Sequence, residues 1–413
     1  MPRINHFKNK APIQKGKKEL IGLVFISLFL MSFLFYYKFV ENTTEIPTNL
    51  PAVYIICEDE ILIDDYVECV FSLNQESIQA DIKIRGANNA FRAKKGYRIQ
   101  LSEEKSFLGM REDDDWLLFA LTKDDERLRT KLSFDLWRSL EDYNPTAILP
   151  DSRYVRVYMN GEFQGLYLLA EKNDRRLYGF DSWDNSIDSS LIFQVKVDTF
   201  LNDYNKDCWE QDYPNLEDIN IMDEILTDLI FFINNSSDEE FFNPITGVYA
   251  KFDKTNLIDF FLYNFFILHY DFWYHNYFII RNTNPSKFIL IPWDFDASFG
   301  SFGTIRYDSS DNPESLIISK NQLYNRLLNS ESFMKDCKDR WNYLREEVWT
   351  EDFIMSLLSD QYEEIEDIIE IELNLWETRL TSKKDFDLNK HVSRIFNWIP
   401  ERIDFCDNYF ASI

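Results

Sequence analysis

Several things are scarce in this 413-residue chain, and each scarcity removes a class of function. Glycine occurs only 11 times, and no G-x-G-x-x-G is present, so neither a dinucleotide-binding turn nor a glycine-rich phosphate loop can be built. The five cysteines (Cys57, Cys69, Cys208, Cys337 and Cys406) form no C-x-x-C pair, which argues against a structural zinc site. There are four histidines and no H-E-x-x-H helix, so a zinc hydrolase is unsupported, and the missing G-x-S-x-G elbow leaves an α/β-hydrolase unsupported too. Basic residues are outnumbered, 44 Lys and Arg against 71 Asp and Glu. The resulting net charge of −27 disfavours nucleic-acid binding and otherwise serves solubility.

What the chain does have is apolar bulk: 45% hydrophobic residues, with 36 Phe and 22 Tyr, enough rings to fill a large core. Residues 20–37, LIGLVFISLFLMSFLFYY, carry no charge, and a helix of that length nearly spans a bilayer. Arg3, Lys8, Lys10, Lys15, Lys17 and Lys18 precede it against the single acid Glu19. Positive flanks stay cytoplasmic. The expectation is a cytoplasmic tail (1–19), a transmembrane signal anchor (20–40), a linker (41–51) and an extracytosolic remainder, in keeping with a bacterial cell surface. A cleaved signal peptide is the rival reading, but no A-x-A-like site follows residue 37. Cys57 and Cys69 flank a short acidic segment and suit either a hairpin disulfide or two free buried thiols.

From Ala52 to Leu101 the pattern favours strands, and Trp116–Leu121 reads as another. Residues 125–140 look helical, with Leu128, Leu132, Leu136 and Leu140 on one stripe. Asn160-Gly161 between alternating runs predicts a β-hairpin, so the first half reads as a sheet with one inserted helix. Residues 181–250 read as acidic loops with helical stretches. Residues 255–270 form an apolar helix capped by Thr255 or Asn256. NYFIIRN and KFILIPWDF are two strands joined at Asn284-Pro285, and residues 331–413 are mostly helical.

The informative stretch is HYDFWYHNYF followed by IPWDFDASFG. Asp271 and Asn276 stand at the D-x-x-x-x-N spacing at the end of the apolar helix, and Asp294 ends the later apolar strand. Phosphoryl transfer needs such a set, because the protein mainly positions groups and neutralises charge. One carboxylate orients the attacking hydroxyl, while an Asn and a second Asp hold Mg²⁺ against the phosphates. Ordinary protein kinases carry H-R-D-x-x-x-x-N and then D-F-G. Here His269-Tyr270-Asp271 precedes Asn276 at the same offset, and Asp294-Phe295-Asp296 replaces the final glycine by aspartate. On spacing alone the same residues serve equally well to cap a helix end and close a turn.

Several blocks resemble the CotH (spore coat protein H) family of atypical protein kinases, in that family's order. They are Arg85-Gly86 followed by Lys94-Lys95-Gly96-Tyr97, the helix around Leu128-Arg129, the hairpin VYMNGEFQGLYLLAE, the D-x-x-x-x-N segment and IPWDFDASFG. The resemblance implies an α+β, reduced two-lobed protein-kinase-like fold, with a β-rich N-terminal lobe over 52–172 and a mainly helical C-terminal lobe over 173–413. It implies transfer of the ATP γ-phosphate to Ser or Thr of surface or spore-coat proteins outside the cytoplasm, with Mg²⁺ or Mn²⁺. Asp271 then matches the catalytic aspartate, Asn276 and Asp294 match the metal-binding pair, and Asp296 is a further ligand or a structural cap. A first-lobe cation would hold phosphate: Lys95 by preference, with Arg85 and Arg98 as further candidates. Glu171, at the junction of the lobes, is a candidate nucleotide contact. The missing glycine-rich loop fits the family. The alternative is a catalytically weak or inactive CotH-like surface binding or adhesion module.

Overall fold

Alternation of apolar and polar residues builds the first third of the chain. In β3 (Glu76–Arg85), Ile78, Ala80, Ile82 and Ile84 are buried and the residues between them are not. The same interior is lined by β1 (Ala52–Cys57), β2 (Val67–Leu73), β4 (Gly96–Ser106), β5 (Glu112–Phe119), β6 (Ser152–Met159) and β7 (Glu162–Glu171). A computed structural model of the protein describes residues 48–63, 65–86, 92–215, 221–270, 273–303, 305–377 and 387–413. The expected membrane anchor at 20–37 lies outside these. Among the described residues no helix is long and apolar enough to cross a membrane.

The seven strands close into a barrel in the order β1-β2-β3-β4-β5-β7-β6. β1 and β6 pair in parallel and the other neighbours are antiparallel. The sequence predicted a sheet here; closure leaves no exposed edge, and Val53, Phe71, Ile82, Ile99, Trp116 and Leu169 fill the interior. The predicted hairpin joins β6 to β7, with Asn160 at φ +48 and Gly161 at φ +87, the pair of left-handed residues that a tight hairpin turn requires. From Gly165 onward β7 is buried without alternation. Its outward Leu166, Leu168 and Ala170 belong to a second, larger core shared with the helices.

α1 spans Arg129–Arg138, shorter than the 125–140 expected. Arg127 has a left-handed backbone (φ +63), which stops the helix from starting earlier, and the Asp124 carboxylate accepts the Thr130 N–H at 3.1 Å. The second core packs α1, α2 (Met222–Asn235) and α3 (Lys254–Phe266) against an antiparallel four-stranded sheet. Its order is β11-β10-β8-β9, from β8 (Leu191–Val195), β9 (Trp209–Tyr213), β10 (Tyr277–Arg281) and β11 (Ile289–Pro292). β8 and β9 fall where the sequence read only loops and helices. β8 (LIFQV) is a short apolar run, which periodicity alone does not separate from a buried helix segment, and β9 (WEQDY) carries three polar residues in its middle. The α3 cap is Asp253, which accepts the Asn256 N–H. Asn256 is buried instead, and exchanges hydrogen bonds with Leu290 N (2.7 Å) and O (3.1 Å), clasping α3 to β11.

A short hairpin, β12 (Ser301–Phe302) and β13 (Ile305–Arg306), follows. The chain then runs through α4 (Glu314–Lys320), α5 (Gln322–Leu328), α6 (Glu331–Glu347), α7 (Glu351–Glu377) and α8 (Leu388–Ala411). α7 returns to the barrel. Its fully buried Glu372 binds Lys94 Nζ at 2.8 Å and Arg127 Nε at 3.1 Å, and the Trp376 indole donates to the Gln164 carbonyl at 3.0 Å.

Candidate active site

The β10–β11 ladder is the frame of the site. Tyr277 pairs with Pro292, and one step further the Trp293 N–H donates to the Asn276 carbonyl at 2.9 Å. Asn276 and Asp294 therefore leave the same end of the ladder. Both have left-handed backbones (φ +62 and +57), a conformation that Asn and Asp adopt more readily than other non-glycine residues. Asp294 opens the 3₁₀ turn Phe295–Ala297, but its side chain does not cap that turn, so closing the turn does not explain the carboxylate.

The end of α3 is bonded to this turn. The Nδ1 of buried His269 faces Asn264 Oδ1 at 3.1 Å, and its Nε2 faces the Asp294 carbonyl at 3.0 Å. The Tyr270 N–H donates to the Ala297 carbonyl at 3.0 Å, and Phe299 N–H to the Ile267 carbonyl at 2.6 Å. Helix end and turn form one hydrogen-bonded block. Asp271, the expected catalytic aspartate, lies outside the described residues; Tyr270 before it belongs to the block.

Asn276, Asp294 and Asp296 line a cleft of about 960 Å³ between the barrel and the four-stranded sheet, a volume suited to a small-molecule ligand. Arg85, Gly86, Gly96 and Arg98 form the barrel side, and Gln194, Lys196, Glu210 and Asp212 come from β8, β9 and the residue after β8. Trp293 at the wall stacks on Phe134 (5.8 Å between ring centres) and meets Phe119 at 6.0 Å, which fixes the residue next to Asp294.

Two of the four nucleotide candidates stand on this wall. Half-buried Arg85 lies over the Phe119 ring at 4.0 Å. Burial pulls its guanidinium down to about 10, against the opposing charge of Asp294. Arg98 also lines the cleft, held by Asp115 at 3.1 Å. Lys95 is half-buried and is not among the lining residues. Glu171 is buried away from the cleft, with its two carboxylate oxygens accepting the backbone N–H groups of Arg111 (2.8 Å) and Asp151 (2.9 Å). Those bonds tie the chain ahead of β5 to the chain ahead of β6.

A cation that sequence reasoning passed over stands closer to the carboxylates. Lys123 Nζ contacts Asp296 Oδ2 at 2.7 Å and lines the same cleft. Burial works to lower the Lys123 ammonium, but the carboxylates of Asp296 and Asp294 outweigh it and raise the group above an ordinary lysine. The available signal was the charged run Lys123-Asp124-Asp125-Glu126-Arg127 between a buried strand and an apolar helix. Nearby Asp124 is buried, which pushes its carboxyl up to about 6 against the charge of Arg129.

A profile described as CotH kinase protein matches residues 82–406, most of the chain. This chain belongs to the CotH kinase protein family. Inner spore coat protein H of Bacillus subtilis (strain 168) is 28% identical over 311 residues, 74% of this chain and 82% of that protein. Among solved structures, the chain is similar to the Helicobacter pylori proinflammatory kinase CtkA, with 11% identity and a TM-score of 0.28 over 76% of this chain and 94% of that one. It is also similar to the Golgi casein kinase with Mn/ADP bound, with 10% identity and a TM-score of 0.28 over 87% and 74%.

The donors of this CotH chain suit a hard divalent ion. Asn276 offers an amide oxygen and Asp294 a carboxylate from neighbouring positions on one wall, with cleft volume beside them for phosphate oxygens. Among the described residues no three His, Cys, Asp or Glu side chains converge as a preformed cage. Mg²⁺ and its relatives in phosphoryl-transfer sites need no such cage, because one or two carboxylates plus substrate phosphates suffice. The Asp296 carboxylate is occupied by Lys123.

Proposed function

We propose that this protein is an ATP-dependent kinase that phosphorylates Ser or Thr of surface or coat proteins outside the cytoplasm, built as a reduced two-lobed kinase with the barrel as its first lobe. The uncharged residues 20–37 behind a basic tail would anchor it to the membrane. The observation that carries the reading is the emergence of Asn276 and Asp294 from one ladder end into a cleft that Arg85, Arg98 and Lys123 also line.

Asn276 and Asp294 would hold Mg²⁺ or Mn²⁺, which supplies charge neutralisation for the β- and γ-phosphates. Arg85, half-buried and facing Asp294, supplies a fixed positive charge on the barrel side. Asp271 takes the role of orienting the acceptor hydroxyl. His269 keeps the two halves in register by holding the Asp294 carbonyl. The test is transfer of radiolabelled phosphate from ATP to a mixture of surface proteins. The native protein should label an acceptor and Asp294→Ala should not. Equal labelling by both would overturn the assignment, and nucleotide binding without any transfer would support the binding-module alternative.

A further inference from the structure

The cleft holds a lysine whose position was not anticipated, and its surroundings specify a task. Lys123 touches Asp296 at 2.7 Å, with side chains 31% and 18% exposed, so the contact is neither freely solvated nor sealed. The backbone beneath it is rigid. Arg129, itself fully buried, donates to the Lys123 carbonyl and, at 3.3 Å, to the Asp296 carbonyl, so one guanidinium spans both partners. Most other cations of the cleft are already committed: Lys172 to Asp115, Arg176 to Asp114 and Lys196 to Glu210.

Resting on the phosphotransfer reading above, we propose that Lys123 is the cation that contacts the transferring γ-phosphoryl group, and that Asp296 is its positioning residue rather than a metal ligand. An ammonium has three N–H donors, and the Asp296 contact uses one. The other two are available to γ-phosphate oxygens on the Asp294 side of the cleft. In the transfer, the acceptor oxygen bonds to the γ-phosphorus as the bond to the β,γ-bridging oxygen breaks. ADP leaves with the bond's electron pair, and the acceptor hydroxyl's proton passes to the carboxylate that orients it, Asp271 in the phosphotransfer reading, and from there to water. Lys123 keeps its protons throughout and balances charge on the peripheral oxygens, which is where phosphoryl transfer gains from a fixed cation. Anchoring by Asp296 leaves the lysine little freedom to lose when the nucleotide binds.

The assignment separates ATP from ADP. The experiment is calorimetric titration of the whole protein with Mn²⁺ plus either ADP or the β,γ-methylene analogue of ATP, which binds without turnover. Lys123→Ala should weaken the ATP analogue by about ten- to hundredfold, the range for losing a charge-assisted hydrogen bond, and change ADP by less than about twofold. Asp296→Asn should act in the same direction. The double variant should be no worse than Lys123→Ala alone, as for two residues acting as one unit. Lys123→Arg should recover part of the loss, and the ADP titration confirms that each variant is folded. Equal losses for ADP and the analogue, or analogue affinity unchanged in Lys123→Ala, would overturn the proposal. Loss of Mn²⁺-dependent ADP binding in Asp296→Asn would return Asp296 to the metal. Native protein that binds neither nucleotide would sink the phosphotransfer reading itself, and this proposal with it.

Discussion

Replacing Glu372 by Gln tests how the end of the chain is fastened to the barrel. Glu372 is fully buried on α7 and receives Lys94 Nζ at 2.8 Å and Arg127 Nε at 3.1 Å, with a longer contact to the second Arg127 nitrogen at 3.4 Å. Lys94 and Arg127 are themselves nearly inaccessible. Glu372→Gln therefore removes the carboxylate that pairs with both buried cations. Breaking a buried pair from one side costs about 3–5 kcal/mol, because the remaining charges stay desolvated without compensation. Gln can still accept one hydrogen bond, which places the expectation at the lower end, about 3 kcal/mol. Lys94→Met keeps the Arg127–Glu372 pair and should cost less. It should also leave nucleotide affinity unchanged, because Lys94 faces α7 and not the cleft. Burial alone would raise the Glu372 carboxyl, but Arg127 and Lys94 outweigh it and hold the group below its ordinary 4.5. A depressed carboxyl stabilises the fold above the unfolded value and loses that contribution as pH falls through the folded one. The native advantage over Glu372→Gln should thus be complete at neutral pH and shrink on acidification below 4.5. The assay is urea unfolding followed by tryptophan fluorescence, comparing midpoints at unchanged slope. A cost below about 1 kcal/mol at neutral pH would refute the argument, since it would make the cluster no stronger than an exposed pair.

Gly165→Ala should destabilise the same junction: at φ +106 a side chain is strained, and its Cβ would lie 2.7 Å from Glu372 Cγ and 3.2 Å from Trp376 Nε1. Thermal melting should show a drop comparable to that of Glu372→Gln. Cys57 and Cys69 are register partners on β1 and β2, and the Cys57 N–H donates away from β2, to Asn160 Oδ1 at 2.9 Å. They form a non-hydrogen-bonded pair, whose Cα atoms lie about 4.5 Å apart, within disulfide reach. Oxidation by a small disulfide should remove two hydrogens from the native mass and raise the melting temperature, with no effect on Cys57→Ser.

The parts of the molecule legible in the sequence are those fixed by near neighbours. Asn160-Gly161 specifies its hairpin because only left-handed residues fit that turn, and the apolar runs on either side of Asn284-Pro285 pair as written. Asn276 and Asp294 could be singled out because each stands at the end of a strongly apolar element, and the ladder brings them to one cleft. What stayed hidden depends on remote partners. Lys94 and Lys95 look alike in the sequence, yet Lys94 is buried by Glu372, 278 residues away. Glu171 looks like a junction acid until its oxygens meet the backbone at Arg111 and Asp151. Lys123 sits in a charged run between a strand and a helix, and only the return of the chain at Asp296 gives it a place in the cleft. β8 is an apolar run that periodicity does not tell from buried helix and β9 is largely polar, and pairing at the β10 edge that β8 joins makes strands of both.

Metal-dependent nucleotide binding is the most direct measure of whether Asn276 and Asp294 form the centre of this protein. With Mn²⁺ present the native protein should bind ADP, a chelator should abolish the binding, and Asn276→Ala and Asp294→Ala should each weaken it by at least about tenfold, the loss expected for a charged or metal-linked contact. ADP bound equally well by Asp294→Ala, or bound by the native protein regardless of the chelator, would contradict the account.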